Sequence, residues 1–142
     1  MMRYLGLDLG TKTLGVAISD KLGLIANPLK TIQYKDYESL AEEVALLISD
    51  YEITEIALGL PKNMDNSMGF ASRRSIEFKS ILESKTDIPV ILVDERLSTV
   101  EAEKYLLDAD LSRKKRKEHI DAVAASVILN THMKMKGKKK YE

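Results

Sequence analysis

The chain contains no cysteine and no tryptophan. Without cysteine there is no disulfide, no thiolate zinc site, no thiol nucleophile and no redox switch, and a reducing compartment such as the cytoplasm is expected. Histidine is nearly as scarce. The pair His119 and His132 stands thirteen residues apart, a spacing that matches no compact histidine metal motif. Long apolar runs are missing too. The first nineteen residues are apolar but carry Asp8 and Lys12 in their middle, so they do not read as a secretory signal, and no run approaches a membrane span. What remains is 142 residues that are 44% hydrophobic and 31% charged, the profile of one globular domain with no need of a covalent staple.

An excess of either charge is also absent: 22 Lys+Arg face 22 Asp+Glu. The zero is a sum of opposed halves. Residues 1–110 hold 12 basic and 19 acidic side chains, a net of −7, and residues 111–142 hold 10 and 3, a net of +7. One basic cluster is Arg113, Lys114, Lys115, Arg116 and Lys117; the other is Lys134, Lys136, Lys138, Lys139 and Lys140. The terminal cluster, from about residue 134 onward, is expected to be a flexible solvated tail. The first cluster lies between two expected helices, where that explanation fails and phosphate contact is the better reading.

Hydrophobic periodicity predicts strands over 3–9, 13–19 and 27–33. The first two are joined by the short Gly10-Thr11-Lys12 turn of an antiparallel hairpin, and Pro28 marks the third as an edge. Helical spacing and the Asp36 cap predict a helix over 36–51. A strand over 55–60, a polar loop over 62–68 and a helix over 69–84 with Phe70 and Phe78 inside should follow. Residues 90–94 belong to the most apolar run, IPVILVD, and read as a central parallel strand buried on both faces. Ser98 and Glu101 form a capping box that opens a helix over 98–109, and a last helix covers 119–133. Hairpin strands followed by alternating βα units imply an α/β fold with a mixed sheet and helices packed on it.

Three acids occupy costly positions. Asp8 lies in the first apolar strand, Glu95 follows Asp94 at the end of the apolar run, and Asp121 lies on the edge of the last helix's burying face. An ionised carboxylate near the core costs several kcal/mol unless it is paired or bound to a cation. Each alone reads best as a solvated acid; together they point to a shared site. Carboxylates converging without histidine or cysteine select a hard cation, Mg²⁺ or Mn²⁺, one ion or two. The matching chemistry is phosphodiester hydrolysis. Gly6, Gly10 and Gly15 bracket the first acid and would let a phosphate approach the backbone, although a plain hairpin explains Gly10 equally well. The segment is neither a Walker A loop nor a dinucleotide fingerprint.

The blocks GLDLGTKTLGVAISD, GLPKNMDNSMG, VDERLSTVEAE and HIDAVAASVIL, in this order over nearly the whole chain, resemble the four motif blocks of the YqgF (RuvX) family. That family comprises pre-16S ribosomal RNA nucleases and Holliday junction resolvases. The resemblance implies a ribonuclease H-like fold: a mixed five-stranded sheet, its first three strands antiparallel, with helices around it. It implies a metal-dependent endonuclease in which Asp8, Glu95 and Asp121 are the catalytic, metal-holding acids. It chooses Glu95 over Asp94, which strand alternation leaves open. By the same resemblance Thr11, Lys12, Asn63 and Arg96 contact substrate. An ion pair with Asp94 is the competing role for Arg96.

The substrates so implied are a 16S precursor RNA, which is preferred, or branched four-way DNA, with the ribosome as a further partner. A resolvase would act as a dimer, while an RNA-trimming enzyme could be a monomer. Aromatic residues make up only 6% of the chain, which favours backbone or shape recognition over base stacking. Two rivals remain. A nucleotide-binding fragment of the actin and sugar-kinase type would need a second domain. A non-catalytic RNA- or ribosome-binding module would gain nothing from three acids beside its phosphate site.

Overall fold

The computed structural model describes residues 1–62, 65, 67–95 and 113–141, without the side chains of 113–119 and 138–141. The elements are β1 (Tyr4–Leu9), β2 (Thr13–Ser19), β3 (Ala26–Gln33), α1 (Tyr37–Asp50), β4 (Glu55–Leu60), α2 (Phe70–Glu83), β5 (Val90–Asp94) and α3 (Arg113–Tyr141). The expected helix over 98–109 lies outside the described residues. The five strands form one mixed sheet in the order β3-β2-β1-β4-β5. The first three strands are antiparallel, and β4 and β5 run parallel to β1.

Strict alternation gives the sheet two unlike faces. One face carries Leu5, Leu7, Leu14, Val16, Ile56 and Leu58, and it packs on Leu40 and Val44 of α1 and on Phe78 and Leu82 of α2. These side chains are all but fully buried. The opposite face is built of small residues. Gly6 stands beside Ala17 on β2 and Ala57 on β4, and Asp8 stands beside Gly15. Against this face lies α3, with Ala125, Ile128, Leu129 and Met133. Small residues let the helix backbone come close: a methyl group on Gly6 would lie 2.7 Å from the Ala125 carbonyl oxygen and from the Leu129 Cβ.

Helix α1 starts where expected. The Asp36 carboxylate accepts the Ser39 backbone N–H at 2.7 Å, a side-chain N-cap. Three expectations are corrected. The apolar run of β5 is not central: among the described residues β5 is an edge strand bonded to β4 alone, and β1 holds the centre. Val90 and Val93 are buried on opposite faces of β5 while Ile91 is 40% exposed. An apolar run reports cover above and below a strand, and says nothing of a neighbour on either side. Phe70, expected inside α2, is 78% exposed, because it opens the helix on the face away from the sheet.

The third correction concerns α3, which is longer than expected at both ends. Residues 113–117 form its first turns rather than a connection. The expected tail from residue 134 continues the helix to Tyr141, with Lys136 paired to Glu55 at 2.7 Å.

Candidate active site

Three elements bring the expected acids to one end of the sheet. Asp8 is next to last in β1 and points to the small-residue face by alternation. Its antiparallel partner is Gly15. A Cβ on Gly15 would strike the backbone carbonyl of Asp121, so the missing side chain is what lets α3 carry Asp121 up to Asp8. Thr13, at the start of β2, donates its hydroxyl to Asp121 Oδ2 at 2.9 Å. Glu95 follows the last residue of β5 and folds back over β4, where a Cβ on Gly59 would lie 2.5 Å from Glu95 Oε1. Its carboxyl shares a hydrogen bond with that of Asp8. Two glycines, on the strands either side of β1, thus make the room in which the acids meet.

The electrostatics are those of crowded, buried acids. Burial pushes the Asp8 carboxyl above its usual range; the bond with Glu95 acts the other way, and the charge of Asp121 adds to the rise. Glu95 is pushed up to about 10 by burial, by its bond with Asp8 and by the charges of Asp8 and Asp94. Two such acids share one proton rather than ionise together. An all-oxygen donor set of this kind fits a hard divalent cation, whose charge would let all three ionise at once. Among the described residues no three acidic or histidine side chains stand close enough together to hold a metal ion as placed. Asp8 and Glu95 face each other, and Asp121 is held by Thr13.

The other expected contacts are placed less completely. Thr11 and Lys12 are exposed in the β1–β2 turn beside Asp8. Asn63 and Arg96 lie outside the described residues. Arg113, Lys114, Lys115, Arg116 and Lys117 lie in the opening turns of α3, one to two turns before Asp121. Gly6 and Gly15, read from sequence as openings for phosphate, are filled by α3 instead.

Sequence reasoning missed Thr13, Gly59 and Tyr34. Tyr34 ties down the turn between Asp8 and Thr13 twice: its N–H donates to the Lys12 carbonyl at 3.1 Å, and its hydroxyl donates to the Gly10 carbonyl. It also missed a polar cluster at the far end of the same sheet face. There Glu55 receives His132 Nε2 at 2.7 Å and Lys136 Nζ at 2.7 Å, with Tyr4 packed edge-on to the histidine ring. A glutamate opening the otherwise apolar EIALGL strand was the available signal.

A family model described as RuvX, Holliday junction resolvase, matches residues 2–135. The chain belongs to the RuvX family. A relative from Halothermothrix orenii, carrying the name "Putative pre-16S rRNA nuclease", is 49% identical over 137 residues, covering 96% of this chain and 98% of its own length. A relative of the same name from Bacillus subtilis is 48% identical over 134 residues, covering 93% and 97%. In fold, this RuvX-family chain resembles T. thermophilus RuvC in complex with a Holliday junction substrate, with a TM-score of 0.64 at 15% identity over 96% of this chain and 97% of that one. It also resembles the Fowlpox virus Holliday junction resolvase, with a TM-score of 0.55 at 17% identity over 94% and 99%. The ribonuclease H-like sheet expected from the motif blocks is therefore the observed fold.

Proposed function

We propose that this chain is a divalent-metal-dependent endonuclease that hydrolyses nucleic-acid phosphodiesters, acting in 5′-end processing of pre-16S ribosomal RNA. The observation that supports this reading is the contact of Asp8 with Glu95 at the carboxyl ends of β1 and β5, with Asp121 of α3 near enough for its charge to act on Asp8. Open α/β sheets bind ligands at that end. Buried acids with raised pKa values mark a site that works on charge rather than one that only packs. The names of the relatives support the RNA substrate.

Asp8, Glu95 and Asp121 would hold one or two Mg²⁺ or Mn²⁺ ions. Bound there, such ions supply a more acidic attacking water and stabilise the charge that builds on the phosphate. The rest is the work of the chain. Thr13 keeps Asp121 turned toward the site, and the Glu95 carboxyl holds a proton against Asp8 until the charge balance changes. Lys12 and Thr11 flank the first acid, where a phosphate would approach. Asn63, Arg96 and the basic cluster opening α3 are read as further backbone contacts. This substrate places the work in the cytoplasm.

The description of the family model favours a second reading, resolution of four-way DNA junctions. One experiment separates the readings. Wild type and Asp8→Asn are incubated with a 16S precursor fragment and with a synthetic four-way junction, in Mn²⁺ and in chelator. Wild type should cut the precursor only with the ion, and Asp8→Asn should bind it without cutting. Cutting of the junction alone would transfer the assignment to the resolvase. Equal cutting by both proteins would remove the acids from the chemistry, and binding without cutting by both would indicate a non-catalytic module.

A further inference from the structure

Beside the acids, on the β3 side of the sheet, lies a cleft of about 570 Å³ lined by Lys12, Thr13, Gln33, Tyr34 and Lys35. Thr13 joins it to the acid cluster, since the residue that lines the cleft also holds Asp121 at 2.9 Å. No acidic residue lines it among the described residues, although the first 110 residues carry a net of −7. Arg74 of α2 stands within electrostatic reach of the Tyr34 hydroxyl, which adds a third cation to Lys12 and Lys35. Three lysines elsewhere are paired with acids: Lys79 with Glu83, Lys85 with Glu38 and Lys136 with Glu55. Lys12, Lys35 and Arg74 have no carboxylate within ion-pair distance among the described residues.

The cleft is also held in shape. The Tyr34 N–H donates to the Lys12 carbonyl at 3.1 Å, fixing the segment after β3 that carries Lys35 against the turn that carries Lys12. The Tyr34 ring leans on Tyr37, which packs edge-on against the fully buried Phe78. Burial pushes the Tyr34 phenol up to about 12, so, with its proton donated to the Gly10 carbonyl, it brings no repelling charge to the cleft at working pH. Gln33 supplies a neutral amide on the same wall. Cations and neutral donors around a clamped floor fit a phosphodiester chain recognised through its backbone.

We propose that the polynucleotide leaves the acids through this cleft, with Lys12, Lys35 and Arg74 neutralising successive phosphates on one side of the scissile bond. This rests on the nuclease reading for the identity of the ligand, but not for its test, which is a binding measurement made without metal. Fluorescence anisotropy is recorded in chelator with labelled RNA and DNA of one sequence, from about 50 to about 200 mM salt. The proteins are wild type, Lys35→Gln, Arg74→Gln and, as a control on the α1–α2 surface, Lys85→Gln.

Each cleft variant should bind several-fold more weakly and flatten the log–log salt slope by about 0.7–0.9, while Lys85→Gln follows wild type. Equal loss on RNA and DNA identifies backbone recognition, and loss confined to RNA identifies a ribose contact; either supports the cleft. Cleft variants with the wild-type slope and affinity overturn it, as does a wild type that binds neither polymer. Cleavage by wild type and Asp8→Asn, measured in parallel, judges the nuclease reading separately, because that comparison does not depend on the slope.

Discussion

At the level of single side chains, the acids were legible and their supports were not. Asp8 and Asp121 stood out because a carboxylate near apolar positions is costly. Glu95 over Asp94 needed the motif resemblance; the structure adds the contact with Asp8 and the space over Gly59. Thr13 carried no signal, since a threonine opening a strand is ordinary. Its role appears only once residue 121 arrives from the other end of the chain. A hydroxyl that orients one ligand should act on ion affinity more than on fold. Thr13→Val removes one hydrogen bond, worth about 1 kcal/mol. It should raise the Mn²⁺ concentration needed for half-maximal cleavage several-fold, with a melting temperature only slightly lowered. A cleavage titration against Mn²⁺ checks this, and an unchanged titration would make the Thr13–Asp121 bond incidental.

At the level of elements, the alternation of large and small residues was readable along β1, β2 and β4, and so was the hairpin. What the small residues were for was not, because a glycine reports only that something comes close, and phosphate and helix are equal candidates until the partner is seen. Gly15 decides the case: its missing Cβ is replaced by the Asp121 carbonyl. Gly15→Ala must push α3 outward against the backbone, with no flexible side-chain end to yield. It should destabilise the domain by about 1–3 kcal/mol and cut activity further than that loss explains, with a far smaller change in nucleic-acid affinity. A calorimetric melt beside kcat and Kd tests the split.

The other end of α3 is anchored by Glu55. Burial raises its carboxyl, but hydrogen bonds from Lys136 and His132 outweigh burial and leave it below the usual value of 4.5. A group lowered in the fold contributes stability that is complete above 4.5 and fades as the pH falls through the folded value. Glu55→Gln should therefore cost about 2 kcal/mol at pH 7, with the gap to wild type closing below pH 4.5. A gap constant with pH would show that the pair contributes packing alone.

Across the whole molecule, the cancelled charge divides by place. The helix rises about 1.5 Å per residue, so the cluster at 113–117 starts roughly 6–12 Å along α3 from Asp121. The lysines from 134 onward lie roughly 20 Å or more the other way. Sequence could count the two clusters but could not see that a single helix carries both, because the apolar register that announces the helix fades beyond residue 133. The nearer cluster lies on the Asp121 side of the helix's length. The farther one begins at the Glu55 anchor, where Lys136 is already committed to its partner. The two should therefore differ in what they do to substrate. Neutralising 113–117 with glutamine should remove roughly three to five phosphate contacts, lowering the salt slope by about 0.9 for each on duplex and about 0.7 on single strands. Cleavage at low substrate should fall with it. Neutralising 138–140 should leave both close to wild type. Matched anisotropy and cleavage series on the two variants test this. Equal effects would mean that substrate spans the full length of α3, and an inert 113–117 variant would remove the basic cluster from the binding surface.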